Sequence, residues 1–413
     1  MVGIWLFYNN YSHTTFIMVG LLPSQKKYKG RDLMRKKIAV MIFISLFSVI
    51  LTGCWDILYL TNKKIINGIS LDVTKDSSMM GMVRAVVLKS KGGGQFEVKD
   101  EVLQTTGDSV FNIGLKMDNM LPGTIEASKI HVIIIGEKLA KQGILSPLEG
   151  FYRNPKGNLT SNVLISEGLA SDILSFENIE NSPVAYGIMQ MIKGAERKTN
   201  IQNQNLYSIW NQITDPGEDA MLPMIRKIKD KALVIDSTGL FHGDKYTGTM
   251  LSREESTILL LLKDKLNKLA YIEIPVKMSS GLSKPSEKEI SAITFEVQKL
   301  QRSLEVSVKK NTQDIDCLIK LDLYGTINSF PSYMGQKINI DQLNQEIAET
   351  LNKQAIEVTN KLLKANCDAL GIGRRLRVSH SELWKSINWE NKYKEVKLNP
   401  NIQVHIRGTG VIN

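Results

Sequence analysis

Hydrophobic and polar positions follow two different periods along this chain, and the periods predict a mixture of strands and helices. Ile69, Leu71 and Val73 alternate with more polar neighbours, as expected of a strand. The almost wholly apolar run from Ile130 to Ile135 predicts a central strand that is buried on both faces. Six apolar residues recur at helical spacing and predict one long amphipathic helix: Leu343, Ile347, Leu351, Ala355, Val358 and Leu362.

Capping and turn residues predict the limits of shorter elements. Ser252 to Glu255 forms a capping box, ahead of a helix expected to continue through Leu269. Gly243-Asp244 predicts a tight hairpin turn between short strands. Asp108 is suited to cap a helix, and that helix is expected to run through three apolar residues: Phe111, Leu115 and Met120.

The length of 413 residues predicts two or three domains rather than one hydrophobic core. Polar or Gly/Ser/Pro-rich stretches near residues 194–205 and 281–286 are the expected boundaries. We predict an α+β protein with mixed and antiparallel sheets, packed helices and about three domains. The expected plan is a leader at 1–53, an N-terminal α+β domain at 54–205, a small middle domain at 206–284 and a C-terminal α+β domain at 285–413, which contains the long helix.

The amino-terminal region has the form of a signal peptide. Three basic residues follow Met34, and sixteen uncharged residues then lead to Cys54. This stretch is shorter than the roughly 20 residues that a membrane-spanning helix needs. Met34 is the expected true start, and an unusually long basic leader from Met1 is the alternative. Leu51, Thr52 and Gly53 resemble a bacterial lipobox before Cys54, which predicts lipid attachment to the Cys54 thiol and retention on the outer face of a membrane. A plain signal peptide with a chance cysteine is the alternative.

Charge and chemistry exclude several function classes. The net charge is +10, but residues 1–53 carry seven Lys and Arg residues and one Asp, so that segment supplies +6. The remaining +4 is too dilute for a nucleic-acid surface. The sequence has no Gly-x-Ser-x-Gly elbow and no histidine pair at metal-ligand spacing. We therefore expect no enzyme activity, no metal and no cofactor.

Three weaker features each have a structural and a functional interpretation. Gly107-Asp108-Ser109 has some likeness to an esterase block, but a helix cap is favoured. The run from Gly371 to Leu376 begins like a dinucleotide loop, yet it follows a helix and lacks the third glycine. Its arginines favour a solvated turn over contact with lipid phosphates or an acidic partner. Cys317 and Cys367 favour buried free thiols, with a disulfide between them as the alternative.

Five blocks of the sequence stand out in order along the chain: Cys54-Trp55-Asp56, Ile130 to Gly143, Gly239 to Ser256, Cys367 to Gly373, and Leu383-Trp384 with Asn388-Trp389. Together they resemble the C subunit of spore germinant receptors, the Ger(x)C lipoprotein family. The chain departs from the family pattern in two places. Ile57 to Leu60 is apolar where members usually carry an Arg-Glu pair, and the extension before Met34 is foreign to the pattern.

The resemblance implies an accessory, non-enzymatic subunit in a receptor complex. Its partners would be a membrane-spanning A subunit and a transporter-like B subunit in the spore inner membrane. Only Cys54 is carried over as a functional residue. The sequence does not indicate which nutrient is recognised or whether this subunit contacts it. The competing hypothesis is a solute-binding lipoprotein of a transporter, which predicts two similar α/β lobes around a cleft; an exported enzyme is a third, less favoured hypothesis.

Overall fold

A computed structural model of the chain describes residues 30–50, 63–92, 95–121, 124–177, 179, 182–229, 231–275, 292–309, 313–329 and 339–408. The chain divides into two compact units, Met1–Tyr59 and Leu60–Asn413. The described part of the first unit is one helix, α1 (Gly30–Ile50). This helix covers most of the segment that the sequence predicts to be the apolar part of a signal peptide.

The second unit begins with a large mixed sheet. Its strands are β1 (Lys63–Val73), β2 (Met79–Gly92), β3 (Gln95–Gly107), β4 (Thr124–Glu126), β5 (Val132–Gly136), β6 (Asn162–Ser166), β7 (Met221–Ile228), β8 (Ala232–His242) and β9 (Lys245–Leu251). Their order is β3-β2-β1-β5-β6-β7-β8-β9, and the short strand β4 pairs in parallel with the start of β1. The central strands β1, β5, β6 and β7 are parallel, and both ends of the sheet are antiparallel.

Helices cover both faces of this sheet, because the central strands are apolar on both sides. In β5, Ile133 and Ile135 face one hydrophobic cluster, while Val132 and Ile134 face another. The prediction that this strand is buried on both faces is confirmed. The helices of this part are α2 (Val110–Met120), α3 (Glu137–Gln142), α4 (Leu145–Tyr152), α5 (Ala170–Leu174), α6 (Val184–Arg197) and α7 (Leu206–Thr214).

A second sheet of four strands follows, in the order β10-β11-β12-β13. Its first three strands are antiparallel, and β13 returns parallel to β12 after a helical connection. The elements of this part are α8 (Arg253–Leu262), β10 (Ala270–Pro275), β11 (Ala292–Val308), β12 (Ile315–Ser329), α9 (Ile340–Ala365), α10 (Ile372–Ser379), α11 (Ser381–Ser386), α12 (Trp389–Lys392), a 3-10 turn (Tyr393–Glu395) and β13 (Lys397–Gly408).

The long helix α9 covers one face of the second sheet, as its apolar spacing predicts. All six residues of the predicted stripe are buried, and they share one core with alternate residues of β11, β12 and β13. Asn339 caps the start of the helix with its side-chain oxygen. The α+β class with mixed and antiparallel sheets is therefore confirmed.

Several predicted details are wrong. Helix α2 is capped by Ser109 rather than by Asp108, and it buries Ile113 and Met117 while Phe111 and Leu115 are exposed. Helix α8 has the predicted capping box but ends at Leu262, well before the predicted extent. The strand before the predicted Gly243-Asp244 turn is not short, since β8 has eleven residues, although the turn itself joins β8 to β9 as predicted.

The domain plan stays a prediction. The segment assigned to a small middle domain, 206–284, contributes three strands to the first sheet because β7 pairs with β6. The expected boundary at residue 206 therefore falls within the span of one continuous sheet. The expected linker at 281–286 lies outside the described residues.

Candidate functional site

The predicted lipid-attachment site lies outside the described residues. This holds for Cys54 and for Leu51, Thr52 and Gly53 of the lipobox. Strand β1 starts nine residues after Cys54, at Lys63. Among the helices that the structure describes, α1 included, none is long and apolar enough to span a membrane.

A cavity that no sequence pattern indicated lies where the first sheet meets the helical end of the second. We call it the junction pocket; its volume is about 440 Å³. Its walls come from the loop between α7 and β7, from the β8–β9 turn, from the segment between α9 and α10, and from α11 and α12. Its principal residues are Asp219, His242, Asn366, Asp368, Trp384, Trp389 and Tyr393.

Two carboxylates connect the walls of the junction pocket. Asp219 accepts hydrogen bonds from the backbone N–H of Gly243 and of Asp368, each at 2.8 Å. The Asp368 carboxylate in turn accepts from the backbone N–H of Ile372 at 2.9 Å and of Gly373 at 2.7 Å. The two acids thus join the loop before β7, the β8–β9 turn and the first turn of α10. This arrangement braces the two sheets against each other.

Burial makes both carboxyl groups harder to ionise. It raises the pKa of Asp368 to about 7, because the loss of solvent outweighs the two backbone hydrogen bonds and the one from Trp389. Burial also raises the pKa of Asp219, against the opposing effect of its hydrogen-bond donors. Asp368 therefore titrates near neutral pH, which is unusual for an aspartate.

Two polar atoms at the junction pocket lack a hydrogen-bond partner among the described residues: Oδ1 of Asn366 and the hydroxyl of Tyr393. Nδ1 of His242 lies 3.8 Å from Oδ2 of Asp219, which is beyond ordinary hydrogen-bond distance. Asn366 lies in the left-handed region, with φ of 53°, and ends α9. Its Nδ2 is 3.3 Å from Nε2 of His242 and donates to the carbonyl of Glu390 at 2.9 Å. The pocket has the size and the free polar atoms of a small-molecule site, but its carboxylates are occupied by N–H donors.

Ion pairs border the junction pocket and account for two of the predicted basic residues. Arg374 contacts Asp215 at 2.9 Å and Glu218 at 2.8 Å, and Arg377 contacts Asp215 at 2.8 Å. Burial of Asp215 opposes ionisation, but both arginines outweigh it and keep the pKa of that carboxyl below its usual value. Arg374 and Arg377 thus lie in α10 rather than in a turn, and they form ion pairs at the surface with side chains that are 45% and 36% exposed.

Gly373 has a packing role. A Cβ on this residue would lie 2.5 Å from Nε1 of Trp389 and 2.8 Å from Cα of Gly217. The close approach of two backbones explains the glycine without a dinucleotide.

The thiols of Cys317 and Cys367 are free and buried, as favoured from the sequence. Burial raises the pKa of Cys317 to about 12 and that of Cys367 well above its usual value, so neither is a ready nucleophile.

Comparison with known proteins identifies the class. Residues 56–227 match the family described as "Spore germination protein N-terminal domain", and residues 236–410 match "Spore germination B3/ GerAC like, C-terminal". Since these regions together span more than half of the chain, the chain belongs to the spore germination GerAC family. This family comprises receptor subunits and not known enzymes. Membership also implies association with other receptor subunits and with a membrane.

Individual relatives are distant but cover nearly the whole chain. A putative spore germination protein YfkR of Bacillus subtilis is 24% identical over 92% of this chain and 98% of its own length. The spore germination protein GerQC of Bacillus cereus is 21% identical over 90% and 98%. Spore germination protein KC of Bacillus subtilis is 20% identical over 92% and 98%. The crystal structure of the GerBC protein is similar over 85% of this chain and all of its own, with 17% identity and a TM-score of 0.49.

Proposed function

We propose that this protein is the lipid-anchored C subunit of a germinant receptor, held on the outer face of the spore inner membrane through Cys54. The observation that carries the proposal is positional: the matched family region begins at residue 56, two residues after Cys54. Residues 1–53, which precede Cys54, then form the leader. A diacylglycerol supplies two acyl chains, which is what stable anchoring requires.

The subunit acts by contact with its partners, the membrane-spanning A subunit and the transporter-like B subunit. The chemistry of the junction pocket supports a contact role over catalysis. Asp219 and Asp368 are occupied as structural acceptors, and the thiols of Cys317 and Cys367 are buried in the protonated form. The two carboxylates thus hold the interior of the unit together, and the surface of the unit is available to bind other subunits.

The structure does not favour a solute-binding lipoprotein of a transporter. That hypothesis requires two similar α/β lobes. Among the described residues, the first sheet has nine strands with a parallel centre, while the second has four and is mainly antiparallel. The two halves therefore differ in both size and strand order.

The proposal is tested in a spore-forming host by comparing the native chain with Cys54→Ala and with Thr52→Ala. Thr52→Ala is the matched control, because it keeps a small residue in the lipobox and leaves the acceptor thiol in place. We expect the native and Thr52→Ala chains to fractionate with spore membranes and to co-purify with the A and B subunits. Cys54→Ala is expected to lose both properties and to slow nutrient-triggered germination. Retention of Cys54→Ala in the membrane with both subunits would contradict the proposal.

A further inference from the structure

The outer side of α2 is unusually apolar for a surface helix. Three of its eleven residues are large, apolar and more than half exposed: Phe111 at 73%, Met120 at 54% and Leu115 at 52%. Phe111 and Leu115 are four residues apart and therefore lie on one side of the helix. Single exposed apolar residues are common on proteins, but their concentration on one short helix indicates a contact surface.

An apolar cavity of about 570 Å³ adjoins this side of α2. Phe111 and Leu115 line it and are themselves exposed, so the cavity reaches the surface at the helix. Its deeper walls are buried aliphatic residues of β1, β2 and α2: Ile66, Ile69, Leu71, Val83, Ile113 and Met117. Two exposed charged residues, Asp118 and Lys156, also line it, and the Asp118 carboxylate accepts a hydrogen bond from the backbone N–H of Ile125. An apolar opening with charged groups of both signs at its edge suits the boundary between lipid headgroups and acyl chains.

The start of β1, where the chain from Cys54 enters the second unit's first sheet, is linked to α2 through β4. Lys63 is paired with Thr124 in the β1–β4 ladder, and its Nζ contacts Glu126 at 3.1 Å. Strand β4 is in turn attached to α2, because the backbone N–H of Ile125 donates to Asp118 at 3.1 Å. The chain from Cys54 therefore enters the sheet at β1, which pairs with β4, the strand that follows α2.

The length of the tether limits how far this surface can lie from the bilayer. Lys63 lies nine positions after Cys54 along the chain, and a fully extended chain spans at most about 3.3–3.6 Å per residue, hence about 30 Å. Lipid attached to Cys54 therefore keeps Lys63, at the start of β1, within about 30 Å of the headgroups, and β4 links this strand to α2. Tethering also raises the local lipid concentration, so weak contacts become effective.

We propose that the outer side of α2 docks on the bilayer, with Phe111 and Leu115 inserted among acyl chains at the mouth of the apolar cavity. This inference rests on the proposed function, because the tether is what brings the bilayer close. The lipid-facing helix would fix the orientation of the subunit, whereas the tether alone would leave it free to rotate. The surfaces on the opposite side of the unit would then be presented to partners.

The test uses the processed chain, residues 54–413, with Cys54→Ser, so that no lipid is attached. An environment-sensitive fluorophore is placed on a new thiol by Phe111→Cys, and separately by Val378→Cys as the matched control. Val378 is also an exposed apolar helix residue, at 78%, but it belongs to α10. The remaining cysteines, Cys317 and Cys367, are buried and do not compete for the label.

We expect vesicles of phosphatidylglycerol and phosphatidylethanolamine to increase and blue-shift the emission of the label at position 111 and to leave the label at 378 unchanged. In vesicle flotation, Phe111→Ser with Leu115→Ser should weaken binding by about tenfold or more, since two apolar contacts are lost. Val378→Ser should bind like the parent chain. Circular dichroism should show all variants folded, because the substituted side chains are exposed.

An unchanged emission at 111, or an equal response at 111 and 378, would overturn the proposal. So would concentration-dependent dimerisation that Phe111→Ser with Leu115→Ser abolishes in the absence of vesicles, because the surface would then bind a second copy. Lipid attachment is absent from this experiment by design. A failure here therefore leaves the role of Cys54 standing, and a failure of lipid attachment in cells leaves the vesicle result standing.

Discussion

The backbone N–H of Asp368 donates to the carboxylate of Asp219 at 2.8 Å, across 149 positions of sequence. This bond joins the loop before β7 of the first sheet to the segment after α9 of the second. Asp219 also accepts from Gly243, and Asp368 also organises the start of α10. The contact between the two sheets thus depends on buried carboxylates as well as on hydrophobic packing.

Replacing Asp219 with alanine should destabilise the folded chain. The buried amide of Asp368 would lose its acceptor, and an unsatisfied buried donor costs about 1–3 kcal/mol. Urea unfolding of Asp219→Ala should show a loss in that range relative to the parent chain. Asp76→Ala, at an exposed turn, is the control and should change stability by less than about 0.5 kcal/mol. Equal stability of the two variants would show that the Asp219 contact contributes nothing.

The stability of the protein should depend on pH through Asp368. In the unfolded chain its carboxyl group loses the proton near the ordinary pKa of 3.8, whereas the folded chain retains the proton until about pH 7. The folded state therefore binds the proton more tightly over this interval, and the contribution of Asp368 to the free energy of unfolding falls as the pH rises from about 4 to about 7. Burial also raises the pKa of Asp219, whose carboxylate accepts a hydrogen bond from the backbone N–H of Asp368.

The measurement is the free energy of unfolding of the native chain and of Asp368→Asn between pH 4 and pH 8. Titrating groups remote from residue 368 are common to both chains, so the difference reports on Asp368 together with Asp219, which interacts with it. The advantage of the native chain over the variant should shrink as the pH rises. A constant difference across this range would mean that Asp368 has a normal pKa in the folded state.

Gly373→Ala should be destabilising, and Gly194→Ala should not. The new methyl group at residue 373 would meet the Trp389 ring and the Gly217 backbone, and relieving such overlap costs about 1–3 kcal/mol. Gly194 lies in α6 with nothing within 4 Å of an added Cβ. Alanine there should stabilise the protein by about 0.5–1 kcal/mol. Thermal unfolding of both variants measures the contrast, and two shifts of the same sign would contradict the packing at Gly373.

The thiols of Cys317 and Cys367 should be inert in the native fold. Both are fully buried, and burial raises the pKa of each, which suppresses the reactive thiolate. In a Cys54→Ala chain, a thiol reagent should modify neither residue at neutral pH until denaturant is added. Rapid modification of the folded chain would show that these positions open readily to solvent.

Local patterns were sufficient to predict elements whose burial is evident from the positions of their apolar residues. The stripe from Leu343 to Leu362 has one apolar side, so it determines both the existence and the orientation of α9. Strand β5 is apolar throughout and could only be central. The capping boundary at Ser252 was correct because its signal lies within four residues.

Non-local features could not be predicted in the same way. Helix α2 has apolar residues on two sides, so periodicity did not reveal that Ile113 and Met117 face the core while Phe111 and Leu115 face outward. The pairing of β7 with β6 crosses a long helical connection that carries no sequence signal. The junction pocket brings together loop residues from distant segments. Asp219 belongs to no recognisable motif. Asp368 lies in the block from Cys367 to Gly373, which indicated the family but not the contact with Asp219.

The most direct test of the central claim is the intact mass of the protein recovered from membranes of a spore-forming host. We expect a chain that begins at Cys54 and carries the added mass of a diacylglycerol. In Cys54→Ala, that mass should be absent and the protein should leave the membrane fraction. An unmodified chain that keeps residues before Cys54 and remains membrane-bound in both forms would contradict lipid anchoring at this cysteine.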